Sequence, residues 1–551
     1  MINLIYQYTK LIRQDMTELK INYSKESLRA LSYELIKKTP LDKANYLSEL
    51  LNNNILLKRE DLQTCSTSKI RGVFNKLSKV NNKNIVCATT GNHGYSVSYV
   101  GKHYKMNVYV IVPKITQNAV INKLTNLGAN VIVKGDDINE SLEFALEYAK
   151  NNNYEFIHPF DDHDIIIGNS VIGLEILESF KSLKTTDNLD SIFVPIGGGG
   201  LIAGIAGLIK ELYPNIKIIG VGANNSCSLY DSIKNNKITE IKQSNGFIDC
   251  STITKCGKLP FEICLSNVDD IILVDDDEIC SAIKYIYDDL NIIIEPASAM
   301  SVAGIIKYID TEKIIDKNIV AVLTAGKLMN FNKLKYIAER ANIGSKSEIL
   351  IQVTIPEEKG SLMEFLKYIN NSKDMFNITK FHYTFSLGED CRKHETTLSL
   401  GEDCRKSETT YNDNAHAKIL LGMASDCEIN IYTVMNIIEE QYKVKNVGNI
   451  PSIYLPFLVS NCKHELKDEY MFSFVIPERS GSLMELLSMI GCYINITLFH
   501  YDNIGDINAH ILIGIQLINI TYDKFIQELK KVKFLHYSDC TYLKSLKTNT
   551  I

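Results

Sequence analysis

Between Ile85 and His158 the apolar residues follow two rhythms in turn. Short β-branched runs (Ile85–Ala88, Asn107–Val112, Asn130–Val133 and Glu155–His158) alternate with stretches whose apolar positions recur at helical spacing, one from Tyr95, then Ala119–Leu127 and Glu140–Lys150. The strand-like Ser191–Ile196 and the helix-like Leu201–Leu212 continue the series. Strands alternating with helices predict an α/β architecture with a parallel, doubly wound sheet. In such sheets ligands sit beyond the carboxyl ends of the strands. The loops Thr89–Gly94, Gly197–Gly200 and Leu323–Gly326 each follow a strand-like run. All three are therefore expected to face one crevice.

Upstream, Glu26–Lys38 has the pattern of an amphipathic helix ended by Thr39-Pro40, and Ile55–Leu62 reads as a strand running into a charged loop. Ser66, Thr67 and Ser68 are small hydroxyl residues suited to cap a helix that continues through Phe74 and Leu77. Lys69 then falls in its first turn. Near residue 345 the character changes. The strand-like Ile349–Ile355 leads into Pro356–Glu364, a helix to Ile369 and Asn377–Tyr383; the passage recurs as Pro477–Glu485 and Asn495–Tyr501. A duplicated module predicts two related subdomains. The expected division is 1–345, 346–465 and 466–551. A smaller repeat, Ser386–Lys393 returning as Ser399–Lys406, reads as a tandem insertion in a surface loop near 386–410.

Composition narrows the classes. The net charge of −6 and the lack of a basic block argue against nucleic acid as a partner, and no apolar run reaches membrane-spanning length. Met1–Lys10 lacks a secretory signal pattern, so a cytoplasmic protein is expected. The 13 cysteines are scattered, as expected of reduced thiols. Cys391 and His394 have no second pair beside them, so no metal is expected.

Candidate chemistry centres on Gly197-Gly198-Gly199-Gly200 between a strand and a helix. Such a run lets the backbone approach a ligand closely, and the helix start offers free N–H groups to a phosphate. It lacks the acidic residue of a dinucleotide site and the Lys-Ser/Thr ending of a P-loop. Lys69 at a helix start, facing such a cradle, suits pyridoxal phosphate, which reacts with a lysine amine; most lysines, though, are solvated surface charges. Thr89, Thr90, Gly91 and His93 offer hydroxyls and N–H groups for a substrate carboxylate, and Asn92 can bond the cofactor's ring oxygen. The same loop also reads as a plain turn in which Asn92 and His93 cap a helix.

Several ordered segments carry a resemblance: Lys58–Gln63, Ser68–Gly72, Gly91–His93, His158–Asp162, Gly197–Leu201 and Glu295-Pro296. They are similar to the tryptophan-synthase-β-like, fold-type-II pyridoxal enzymes, and within these the chain resembles the biosynthetic threonine dehydratases. The two C-terminal modules resemble the ACT-like regulatory subdomains of that family. The resemblance implies a fold-type-II catalytic region with parallel sheets followed by two α+β subdomains. It further implies that Lys69 bears pyridoxal 5'-phosphate and removes the α-proton, that Asn92 meets the ring hydroxyl, and that Gly197 to Leu201 wrap the phosphate. The substrate is then threonine, released as 2-oxobutanoate and ammonia at the start of isoleucine synthesis. Isoleucine is the implied effector, and a homotetramer or other homo-oligomer the implied assembly, in the cytoplasm or a plastid.

Three departures from the family pattern bear on turnover and substrate choice. Thr67-Ser68 stands where Ser-Phe is usual, Asp249-Cys250-Ser251-Thr252 where an acidic–Gly–Val–Ala run is expected, and Thr324-Ala325-Gly326-Lys327 where a Ser-Gly-Ala-Asn serine meets the pyridine nitrogen. Counting forward from Val322-Leu323 puts Thr324 in the serine's place and counting back from Asn330-Phe331 puts Ala325 there; Thr324 is preferred because it continues directly from a strand-like run and keeps a hydroxyl. Two alternatives remain, a serine lyase of the same fold and a catalytically weak amino-acid sensor.

Overall fold

Two parallel sheets, rather than one continuous sheet, carry the first part of the chain. The computed structural model describes residues 21–183, 188–224, 226–241, 247–248, 253–326, 329, 331–356, 364–365, 368–369, 377–384, 416–424, 431–448, 469–477, 486, 494–502, 508–517, 520–530 and 536–539. The chain forms two compact units that part between Ala341 and Asn342.

In the first unit a four-stranded sheet has the order Asn130–Val133, Asn107–Val112, Asn84–Ala88, Glu155–Phe156, all parallel. A six-stranded sheet runs Leu41–Lys43, Asn54–Arg59, Asn318–Leu323, Ser191–Pro195, Lys217–Ala223, Asp270–Val274. Only its first pair is antiparallel. The central strands Ser191–Pro195 and Asn318–Leu323 are buried along their whole length, as expected of a sheet covered by helices on both faces. One apolar core packs Ile294, Met300 and Ile305 beneath Phe193 and Ala321, and another packs Ile166, Ile205 and Leu208 against Val194 and Val320 on the opposite face.

Two local expectations change. The helix expected over Glu26–Lys38 is Tyr23–Ala30 only. Beyond Leu31 the backbone is claimed by the loop before Lys69: Gln63 exchanges two hydrogen bonds with the main chain of Lys37, and Thr64 Oγ1 donates to Leu35 O. The charged loop expected at the end of Ile55–Leu62 begins only after Arg59, and Lys58, Arg59 and Glu60 are all buried.

The second unit holds two antiparallel four-stranded sheets of matching order. The first runs Asn377–Thr384, His416–Ala424, Glu348–Pro356, Lys443–Asn446; the second runs Ile494–Asp502, Asn508–Leu517, Glu469–Pro477, His536–Asp539. Both repeat the same irregularity, between Ile378 and Lys380 and between Ile496 and Leu498. The apolar face of the first sheet, Ile349, Ile351, Val353 and Ile355, packs with Val434 and Ile438 of the Ile431–Glu439 helix. Phe472, Phe474 and Ile476 pack likewise with Phe525 and Leu529 of the Tyr522–Leu529 helix. The 386–410 repeat, Cys391 and His394, and residues 249–252 lie outside the described residues. Among the described residues no helix is long and apolar enough to cross a membrane, and no cluster is arranged to hold a metal.

Candidate active site

The site is built where the carboxyl ends of both sheets meet the Lys69–Leu77 helix. Lys69 opens that helix, half-buried, and its Nζ donates to the carbonyl oxygen of Pro159 at 3.2 Å. Ser68, the residue before it, donates its N–H to Thr324 O at 2.8 Å, and Gly326 N donates to Ser66 O at 3.2 Å. The lysine turn is thereby fastened to the end of the Asn318–Leu323 strand. Thr67 Oγ1 accepts from Lys69 N at 3.4 Å, so Thr67 rather than the Ser68 side chain serves the helix start.

The segment Ile157–Asp162 touches His93, Lys69 and the glycine loop. Ile157 O meets His93 Nε2 at 2.9 Å, and Pro159 O meets Lys69. Phe160 lies against the glycine loop: a Cβ on Gly198 would stand 2.3 Å from its ring, and one on Gly200 would stand 2.7 Å from its carbonyl oxygen. Asp161 accepts from Lys258 N and Leu259 N at 3.0 and 2.9 Å, capping the Lys258–Asn267 helix, while Asp162 caps the His163–Ser182 helix. The segment was legible as a motif, but its role was not, because each partner lies on a different element.

The glycine loop leads from the strand Ser191–Pro195 through Gly197 to the helix Gly200–Leu212. Gly199 has φ +93°, a left-handed conformation that favours glycine. Gly198, Gly199 and Gly200 are buried, whereas Gly197 and Leu201 are half-buried. The first N–H groups of a helix have no partner within it. A glycine turn at a helix start, with Phe160 and Pro260 packed where side chains would stand, has the N–H groups to receive the phosphate of a phosphorylated aldehyde.

Around the strand Asn84–Ala88, Thr89 Oγ1 accepts from Gly91 N at 2.9 Å and Gly94 N at 3.1 Å. The buried Thr89 hydroxyl thus folds the loop, while Thr90 is half-buried beside it. Asn92 opens the Asn92–His103 helix and its Nδ2 donates to Glu295 Oε2 at 2.7 Å. His93 is buried. A carbonyl only accepts, so His93 Nε2 carries the hydrogen and Nδ1, which has no hydrogen-bond partner, is left as a bare acceptor. Burial, and then the positive charge of Lys69, push the His93 pKa down to about 3. Burial likewise lowers that of His158 to about 4, and its Nδ1 accepts from the backbone of Phe160 and Asp161. Both imidazoles are therefore neutral near pH 7.

Thr324 lies half-buried beyond its strand, with Oγ1 3.0 Å from Ser298 Oγ. Ser298 in turn donates to Ala325 O and accepts from Ala325 N, each at 2.6 Å. Ser298 was not singled out from the sequence, where one serine in a helix carries no signal.

Beside the lysine turn lies a buried ion network. Arg71 reaches Glu60 at 2.6 and 2.7 Å and Glu175 at 2.8 Å through two nitrogens; Lys58 Nζ reaches Glu175 at 2.6 Å and Thr39 O at 2.7 Å. Burial opposes the charge on Arg71, but Glu60 and Glu175 outweigh it and its pKa is raised; burial opposes the charge on Glu60, and Arg71 outweighs it there, so that pKa is lowered.

Comparison with known proteins identifies the family. The family model for pyridoxal-phosphate dependent enzymes matches residues 33–325, and that for the C-terminal regulatory domain of threonine dehydratase matches 339–390 and 460–548. The biosynthetic L-threonine dehydratase of Pasteurella multocida is 31% identical over 527 residues, which is 94% of this chain and 95% of that one. The mitochondrial threonine dehydratase of Saccharomyces cerevisiae is 30% identical, over 96% of this chain and 89% of its own. The solved processed form of threonine deaminase isoform 2 from Solanum lycopersicum is 32% identical with a TM-score of 0.55, covering 58% of this chain and 88% of that one. With its lysine, glycine cradle and duplicated C-terminal sheets, the chain belongs to the threonine dehydratases, a family of pyridoxal-phosphate dependent enzymes with a C-terminal regulatory domain.

Proposed function

We propose that this protein is a pyridoxal-phosphate dependent L-threonine ammonia-lyase that forms 2-oxobutanoate and ammonia at the entry to isoleucine synthesis. The observation that carries the reading is Lys69 Nζ held on Pro159 O, one residue from the Phe160 that supports the glycine cradle. When bound, pyridoxal phosphate supplies the electron sink for charge developing at the substrate Cα. Lys69 Nζ takes the proton from Cα, and the β-hydroxyl departs with a proton as water. The later hydrolysis that frees ammonia consumes a water, so threonine yields 2-oxobutanoate and ammonia with no other reactant.

We assign Gly197, Gly198, Gly199, Gly200 and Leu201 to the phosphate, Asn92 to the ring oxygen and Thr324 to the ring nitrogen. Thr89 holds the loop from which Thr90, Gly91 and His93 meet the substrate carboxylate. With their pKa values lowered to about 3 and about 4, His93 and His158 are weak bases, and we assign the proton transfer at Cα to Lys69. We take 1–345 as the catalytic region, and 346–465 and 466–551 as regulatory subdomains that bind isoleucine. We further infer a homo-oligomer, a tetramer by analogy with the family, placed in the cytoplasm or an organelle; the named relatives include mitochondrial and chloroplastic enzymes.

The test is keto-acid formation by the purified full chain with threonine and with serine, each with and without isoleucine. The reading expects 2-oxobutanoate to form faster than pyruvate, and isoleucine to slow it. Preferential pyruvate would make the protein a serine lyase, and no keto acid from the cofactor-loaded chain would make it a sensor.

A further inference from the structure

We propose that Glu295 is a positioning residue for Asn92: its carboxylate turns the Asn92 amide so that an N–H faces the cofactor's ring oxygen. The inference rests on the assignment of Asn92 to that oxygen. Glu295 is buried, 4% exposed, and occupies the N-cap position of the Pro296–Glu312 helix. A residue at that position usually spends its side chain on the helix's own N–H groups. Glu295 makes no such bond, and its Oε2 stands 2.7 Å from Asn92 Nδ2 instead.

An asparagine amide presents nitrogen or oxygen according to a half-turn about its last bond. A carboxylate only accepts, so the end of Asn92 that faces Glu295 must be Nδ2. Nδ2 carries two hydrogens; Glu295 takes one, and the second is left for the crevice. The reversed amide would set Oδ1 against the carboxylate, two acceptors in contact. The negative charge also polarises the amide and strengthens the second N–H as a donor.

Glu295 itself is held firmly. Its N–H donates to Ala325 O at 3.3 Å, its carbonyl accepts from Ser298 N at 2.9 Å, and Ser298 carries the bond to Thr324. Asn92 belongs to the four-stranded sheet's side of the crevice and Glu295 to the six-stranded sheet's side. Glu295, through its carboxylate on one side and its main chain and Ser298 on the other, therefore links the group assigned to the ring oxygen to the group assigned to the ring nitrogen.

The experiment uses full-length chain loaded with pyridoxal phosphate and reads the absorption of the bound cofactor against pH, together with its dissociation constant. Asn92→Ala is the reference variant. Glu295→Gln, which keeps the volume but loses the charge, is expected to move the pH midpoint of the band in the same direction as Asn92→Ala, by about one unit. It is also expected to weaken cofactor binding about tenfold. The double variant is expected to match Asn92→Ala alone. A general loss of folding would lower occupancy without moving the band of the cofactor that remains bound. A shift in Asn92→Ala with none in Glu295→Gln overturns the role of Glu295. No shift in either variant overturns the assignment of Asn92, and the proposal with it.

Discussion

Lys69 Nζ lies 3.2 Å from the carbonyl oxygen of Pro159, and that contact brings the amine within one residue of Phe160, which packs against Gly198 and Gly200. A carbonyl holds the amine without competing for covalent chemistry. Lys69→Ala is expected to remove both the visible band of bound cofactor and threonine deamination. Lys69→Arg should do the same, since a guanidinium stays protonated. Turnover persisting in either variant would take Lys69 out of the reaction.

Phe160 and Gly198 form a matched pair. A Cβ at Gly198 would sit 2.3 Å from the Phe160 ring, so Gly198→Ala should distort the cradle and weaken cofactor binding about tenfold or more. Combining it with Phe160→Ala makes room for the methyl, and the double variant is expected to bind better than Gly198→Ala alone. Equilibrium dialysis against pyridoxal phosphate reads the effect. If the second change gives no recovery, the defect does not arise from this contact.

Thr324 keeps a hydroxyl 3.0 Å from Ser298. Thr324→Ser preserves that contact and is expected to be nearly silent. On the proposed assignment, Thr324→Ala would leave the ring nitrogen without its partner, at a cost of ~1–3 kcal/mol in cofactor binding or turnover. Steady-state kinetics over a range of cofactor concentrations separates the two; parent-like behaviour of Thr324→Ala would reduce Thr324 to a packing residue.

Arg71 is balanced by Glu60 and Glu175, all three at most 2% exposed. Removing one member of a buried ion network strands its partners, so Arg71→Ala should cost about 3–5 kcal/mol in chemical denaturation. Arg29 with Glu26 is the contrast: the arginine side chain is 63% exposed, and Arg29→Ala should change stability by no more than about 0.5 kcal/mol. Similar losses in the two variants would contradict this account.

His93 and His158 have pKa values depressed to about 3 and about 4, from an ordinary 6.5, chiefly by burial. The unfolded chain binds these protons first as pH falls. The histidines' contribution is therefore intact above pH 6.5 and is lost as pH drops toward 4 and then 3. Thermal melting of the parent should fall over that window, and His93→Asn should flatten the fall. An equal slope in both would mean that His93 takes up its proton at the same pH in the folded and the unfolded chain.

The βα rhythm, the glycine run, the lysine at a helix start and the C-terminal duplication were all legible along the chain. Each depends on periodicity or on conformational freedom within a few residues; even the shared irregularity falls in the repeated Asn-Ile-Thr segments. Tertiary structure decided the rest. It divided the parallel strands between two sheets, which no local pattern distinguishes. It ended the first helix at Ala30, because Gln63 and Thr64 offered the later backbone better partners. It buried Lys58 and Arg71, whose partner Glu175 lies 117 and 104 residues away, and it turned Glu295 from its own helix toward Asn92, 203 residues distant. A charge can be buried, or a side chain aimed, only once its partner is in place, and that pairing belongs to the folded chain.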